Sequence, residues 1–255
     1  RYGRPARFRS PTLRRLFAPG GSRDTCLRFQ EIPTMTEHLA CLEIETAANP
    51  TASIVWLHGL GANGHDFEPM VPELHLPESA AIRFVFPHAP AIAVTINGGM
   101  HMPAWYDILE LSIERKVDEV QLRASAAAVS ALVDREIARG TQSRRIVLAG
   151  FSQGGAVAFE AALTYSQPLA GLLGLSTYFA TAGSIKPDAA NRLLPVQLFH
   201  GTHDPVVPEE LGRQSELTFR AMGHPVTYKT YPIGHNLCLE EVADISAWLK
   251  QVLSL

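Results

Sequence analysis

The sequence predicts an α/β fold: a mostly parallel sheet of about seven strands, helices on both faces, and no large cap domain. Two observations carry this. From residue 38 onward, short apolar runs alternate with segments of helical period, the pattern of strands joined by crossover helices. Several of the runs are apolar nearly throughout, as strands covered on both faces are.

The expected strands, in chain order, are "LACLEIE" (39–45), "SIVWLHG" (53–59), "IRFVFPH" (82–88), "RIVLAG" (145–150), "LAGLLGLS" (169–176), "PVQLFHG" (195–201) and "VTYKTYP" (226–232). The clearest helix spans about 117–139, with Leu122, Val129, Leu132, Val133 and Ile137 on one stripe and Gly140 as its stop. A second opens as "AVAFEAALTY" (156–165). A third is "PEELGRQSELTFRAMG" (208–223), again closed by glycine. The last is "LEEVADISAWLKQVL" (239–253), where Val242, Ile245, Leu249 and Val252 share a face. No internal repeat or linker divides residues 35–255, which read as one domain.

Composition narrows the function. Of 255 residues, 46% are hydrophobic, enough for one substantial core, and a net charge of −3 gives no electrostatic footprint for nucleic acid. No run of 18 apolar residues is present, so no transmembrane segment is expected. Three widely spaced cysteines, Cys26, Cys41 and Cys238, suit neither a disulfide framework nor a zinc site, and the expected location is cytoplasmic. Residues 1–34 carry eight arginines against Asp24 and Glu31, a net of +6 that leaves −9 for the rest. Their Arg, Pro and Gly content reads as a disordered basic extension.

In such sheets, sites gather beyond the carboxyl ends of the strands, and four polar stretches sit there. Gly150-Phe151-Ser152-Gln153-Gly154 fits G-x-S-x-G between an expected strand and an expected helix. That context presents a serine hydroxyl on a sharp turn near a helix N-terminus, where free N–H groups favour developing negative charge. "VWLHGLGANGHDF" (55–67) offers the backbone N–H of Leu60 as an oxyanion donor, to be paired with that of Gln153. His58 reads as a residue that shapes this loop. "QLFHGTHDPVVP" (197–208) places Asp204 beyond a strand, and "YPIGHNLC" (231–238) places His235 beyond the next, where a carboxylate can fix an imidazole's tautomer. His200 and His203 read as loop scaffolding. The chain order Ser152, Asp204, His235 is that of α/β-hydrolases.

From about Met35 the chain resembles the phospholipase/carboxylesterase family, which includes acyl-protein thioesterases and bacterial carboxylesterases. The matching stretches are "WLHGLGANGHDFEPMVPEL", "FVFPHAP", "VTINGGMHMPAWYDI", "GFSQGGAVA", "GTHDPVVP" and "GHNLCLEEVADISAWL". The resemblance implies Ser152 as nucleophile, His235 as base, Asp204 as its partner, and Leu60 and Gln153 as oxyanion donors. It also implies that "NGGMHMPAWYDI" is a loop beside the acyl pocket, with Trp105 near the substrate.

The expected chemistry is acyl transfer to water through an acyl-enzyme, with no metal or cofactor. Only 52 positions separate Ser152 from Asp204, too few for a large cap. The site is therefore expected to be open, fringed by Trp105, Tyr178 and Phe179, and the leading expectation is a serine carboxylesterase acting on small to medium acyl esters. The alternatives are acyl-protein thioesterase or lysophospholipase activity on the same triad, a dienelactone-type or peptide hydrolase, and a non-catalytic binding protein on the same fold. The expected partner is a small-molecule ester. The oligomeric state stays open, a homodimer included.

Overall fold

The computed structural model describes residues 38–110 and 115–255. The expected basic extension, residues 1–34, and Cys26 lie outside them. In chain order the elements are β1 (Cys41–Glu45), β2 (Ala52–Leu57), α1 (Met70–Glu73), β3 (Ile82–Pro87), β4 (Ala91–Val94), β5 (Met100–Pro103), α2 (Glu119–Ala138), β6 (Ile146–Phe151), α3 (Gln153–Thr164), β7 (Gly171–Leu175), β8 (Val196–Gly201), α4 (Glu209–Ala221), β9 (Val226–Tyr231) and α5 (Leu239–Val252).

Seven strands form one sheet in the order β1-β3-β2-β6-β7-β8-β9. β1 runs antiparallel to β3, and every other pair in this sheet is parallel. This is the α/β-hydrolase arrangement that the sequence predicts, and all seven expected runs supply its strands. β2, β3, β7 and β8 are buried end to end, because apolar side chains on both faces need cover on both faces. Successive residues of β2 divide between two cores. Val55 and Leu57 pack with α2 and α3, while Ile54 and Trp56 pack with α5 and Leu74 behind α1.

Two departures from the sequence pattern bear on the scaffold. Residues 91–103, where no strand is expected, contain the antiparallel pair β4–β5, a separate two-stranded sheet whose second strand falls in the stretch 97–108 that the resemblance implies is a loop. Its strands are four residues long and mostly outside the core, so no apolar run marks them. The stripe on α2 also holds a charge. Ile137 is only half-buried, whereas Glu136 is fully buried. Glu136 Oε2 accepts from Ser53 Oγ at 2.8 Å and from Arg83 Nη1 at 2.7 Å, and Oε1 accepts from Arg139 Nη1 at 2.9 Å. Burial opposes ionisation there, but these donors outweigh it and hold the carboxyl below its usual range. The cluster fastens α2 across β2 and β3.

Glu241, in the first turn of α5, is the opposite case. It is 1% exposed and neither carboxyl oxygen has a hydrogen-bond partner. Burial pushes its carboxyl up to about 8 from the ordinary 4.5. Above pH 4.5 the unfolded chain releases this proton while the folded chain keeps it until about pH 8, so stability falls as pH rises through that window. Glu241→Gln, which keeps the shape and removes the ionisation, is therefore expected to be near neutral at pH 5. At pH 8 it should stabilise the protein by roughly 3–5 kcal/mol. Urea denaturation of both proteins at the two pH values measures the difference, and an equal effect at both would contradict a proton held by burial.

Candidate active site

The carboxyl ends of β2, β6, β8 and β9 converge on one edge of the parallel sheet, and each sends one polar residue into the loops above it. At the end of β6 the chain turns sharply into α3. Ser152 sits at this turn with φ 53° and ψ −121°, a conformation that costs on the order of 1–3 kcal/mol for a non-glycine residue. Its surroundings impose it. Ser152 N–H donates to Leu175 O at 2.9 Å, while Ser152 O accepts from Gly155 N at 3.0 Å and from Thr177 Oγ1 at 2.6 Å. A Cβ on Gly150 would lie 2.4 Å from Gly154 O, and one on Gly154 would lie 2.5 Å from His58 O. Only glycine lets α3 approach β6 and β2 this closely. Thr177 has no mark in the sequence beyond its place after a strand.

Asp204 and His235 meet through an extension of the β8–β9 pairing. Beyond the strand ends Thr202 N donates to Tyr231 O at 2.8 Å and His203 N to Ile233 O at 3.0 Å. Asp204 Oδ1 accepts from the N–H groups of Val206 and Val207, both at 2.8 Å, and Oδ2 accepts from His235 Nδ1 at 2.7 Å. Burial works against the charge on Asp204, but the His235 bond and the two backbone donors prevail and keep its carboxyl below the ordinary value. With Nδ1 donating, the imidazole presents the Nε2 lone pair. The ring lies 4.6 Å from that of Phe151, the residue before Ser152. His200 donates through Nε2 to Val207 O at 2.8 Å and stays 3.7 Å from Asp204 Oδ2. It braces the Asp204 loop, while His203 is exposed.

The loop after β2 is held by His58. Nδ1 donates to Gly59 O at 2.7 Å and Nε2 accepts from Ala89 N at 3.1 Å. Burial lowers the ring's affinity for a proton, so it is a neutral brace, as its place in the sequence suggests. Leu60 and Gln153 border the same cavity as Ser152. Gln153 opens α3, where N–H groups have no intrahelical partner. Among the described residues no acceptor takes the N–H of Leu60 or of Gln153. Two free donors beside a hydroxyl can hold a developing oxyanion. The Gln153 side chain has a function that the sequence does not disclose: Oε1 accepts from Trp105 N at 2.9 Å and Nε2 donates to Tyr106 O at 2.7 Å. It pins the segment after β5 to the first turn of α3.

The cavity over Ser152 is about 440 Å³ and is walled by Leu60, Ile96, Ile108, Tyr178, Val206 and Arg115 among others. Tyr178, expected beside the substrate, lines it, and its hydroxyl is 2.8 Å from that of Tyr106. Trp105 does not line it. The ring is 1% exposed and its Nε1 donates to His58 O at 2.8 Å, so it sits behind the wall, because an indole N–H in this interior needs the acceptor that the β2 loop offers. Phe179 is likewise turned into the core, against Phe159 and Phe219. Among the described residues no group of three or more His, Cys, Asp or Glu is placed to hold a metal ion, and no helix is long and apolar enough to cross a membrane.

Comparison with known proteins places these features in a wider set. The sequence model of the phospholipase/carboxylesterase family matches residues 39–253. Acyl-protein thioesterase 1 of Gibberella zeae is 38% identical over 226 residues, covering 84% of this chain and 96% of the relative. Acyl-protein thioesterase 1 of Neurospora crassa is 36% identical over 223 residues, covering 83% and 91%. Among solved structures, the crystal structure of Zea mays acyl-protein thioesterase 2 superposes with a TM-score of 0.74 at 29% identity, covering 85% of this chain and 100% of that one.

The Gln153 side chain provides a test of how the oxyanion region is assembled. Gln153→Ala leaves Trp105 N–H and Tyr106 C=O buried without partners, at a cost of roughly 1–3 kcal/mol each. The midpoint of urea unfolding is expected to drop accordingly, and kcat on any hydrolysed ester should fall with it although the backbone N–H at 153 is retained. An alanine variant with unchanged stability would show that the pinning bonds are unimportant.

Proposed function

The chain belongs to the phospholipase/carboxylesterase family and is an ester or thioester hydrolase, and we propose that within this family it acts as an acyl-protein thioesterase with Ser152 as nucleophile. The observation that carries the catalytic reading is the 2.7 Å bond from His235 Nδ1 to Asp204. It orients the His235 imidazole and leaves the other ring nitrogen to serve Ser152, which is held in a strained turn at the border of the cavity. The relatives' names favour thioesters. The sequence alone puts oxygen esters of small to medium acids first; relatives at 36% and 38% identity that are named acyl-protein thioesterases reverse that order.

In the proposed reaction Ser152 Oγ attacks the acyl carbonyl as His235 Nε2 removes its proton. The tetrahedral oxyanion accepts hydrogen bonds from the N–H groups of Leu60 and Gln153. The C–S bond breaks and the thiol leaves with the proton from His235. Water, deprotonated by the same ring, then attacks the acyl-serine and releases the carboxylic acid. Asp204 stays ionised throughout and stabilises the imidazolium. Its depressed proton affinity suits that task.

Two measurements test the proposal. Ser152→Ala is expected to lower kcat by about 10⁴-fold or more, on the scale of other serine hydrolases, with an unchanged circular dichroism spectrum. A folded variant that keeps most of its activity would overturn the assignment. With one acyl chain offered as matched thioester and oxygen ester, kcat/KM relative to uncatalysed hydrolysis should favour the thioester, and an S-acylated peptide should be deacylated. A preference for the oxygen ester would return the carboxylesterase reading to first place.

A further inference from the structure

Among the described residues Arg115 contributes the one charged side chain in the cavity wall over Ser152, which is otherwise built from apolar residues, amides and hydroxyls. Its guanidinium is held in place from two sides. Nη2 donates to Val206 O on the loop that carries Asp204, and the guanidinium carbon lies 5.0 Å from the centre of the Tyr178 ring. No described carboxylate lies within ion-pair distance of it, although Arg83, Arg123, Arg135, Arg139, Arg213 and Arg220 all have such partners. Its Nε is buried and has no hydrogen-bond partner among the described residues. A guanidinium donor withdrawn from water and left unpaired is destabilising unless something supplies an acceptor. Arg115 lines the cavity over Ser152, where a ligand can supply an acceptor to the guanidinium.

We propose that Arg115 is a specificity-determining residue that makes this cavity select acyl substrates carrying an anionic group, a carboxylate or phosphate, near the bond that is cleaved. The planar guanidinium, stacked on Tyr178 and tied to Val206, is pre-organised for an oxyanion acceptor, so little ordering is required when substrate arrives. The anion can belong to the acyl half or to the leaving half of the substrate. Both would meet the same donor, and the experiment separates them. The inference rests on the reading of Ser152 as nucleophile.

The test compares kcat/KM for three thioesters: pentanoyl-S-N-acetylcysteamine, its glutaryl counterpart with a terminal carboxylate on the acyl half, and the pentanoyl thioester of 3-mercaptopropionate with the carboxylate on the leaving half. The wild-type protein is expected to favour at least one anionic substrate over the neutral one by about tenfold, the scale of one charge-assisted hydrogen bond. Arg115→Gln should bring that ratio to about one, and Arg115→Lys, which keeps the charge, should retain part of it. A wild-type ratio at or below one in both arms overturns the proposal, and this arm needs no variant to fold. A preference that persists in Arg115→Gln overturns it as well. Ser152→Ala assayed on the neutral thioester keeps the two readings apart. If that activity is lost, a flat ratio counts only against Arg115; if it survives, the nucleophile assignment fails.

Discussion

The site depends on one crowded crossing, where the first turn of α3 lies against the end of β2. His58 O is the hub. It stands 2.5 Å from where a Cβ on Gly154 would be, and it accepts the indole N–H of Trp105 at 2.8 Å. No side chain fits between α3 and β2, so the helix starts at the sheet edge and Ser152 is forced into its left-handed backbone. The same approach brings the N–H of Gln153 and the Leu60 loop to one cavity, and it puts the Gln153 amide within reach of residues 105 and 106. Hydroxyl, proposed oxyanion donors and cavity wall are thus consequences of one steric fact.

The proposed acid–base pair, Asp204 and His235, has a different support. The sheet's hydrogen bonding continues past β8 and β9, so the Asp204 and His235 loops are joined backbone to backbone before their side chains meet. The carboxylate then receives three fixed donors and keeps its charge in spite of burial. Glu241, about as deeply buried and only six residues beyond His235, receives none and is driven toward the neutral form. The two carboxyls show that partners, more than depth, decide ionisation in this fold.

Much of this could be read from the chain. Strands buried on both faces announce themselves as continuous apolar runs, and the candidate residues Ser152, Asp204 and His235 follow β6, β8 and β9 in the same alternation. What could not be read depends on side chains reaching across sequence. Glu136 interrupts an apolar stripe, and only the positions of Ser53 and Arg83, more than fifty residues earlier, explain its burial. The family resemblance puts Trp105 near the substrate, but its indole N–H finds an acceptor behind the wall. The β4–β5 hairpin escapes notice because a short, exposed strand pair is stabilised by backbone pairing that leaves no apolar signature. Thr177 and the Gln153 amide act on backbone groups, and nothing in their own identity tells which ones.

These differences divide the site into two parts with different physical origins. The groups proposed to react stand in the loops beyond β2, β6, β8 and β9, whose positions the sheet's pairing fixes. Much of the cavity wall comes from segments outside that sheet: Ile96 and Asn97 at the end of the β4–β5 hairpin, Ile108 and Arg115 before α2, and Val206 and Pro208 beyond Asp204. Substitutions in those segments can change cavity shape and charge without disturbing the pairing that holds Ser152 and His235, because loops carry fewer obligatory backbone contacts than buried strands. Arg115 bridges the two parts, since its bond to Val206 O reaches the loop that also supplies N–H donors to Asp204. A group bound at the guanidinium would therefore lie in the specificity wall while being one residue contact away from the carboxylate that orients His235.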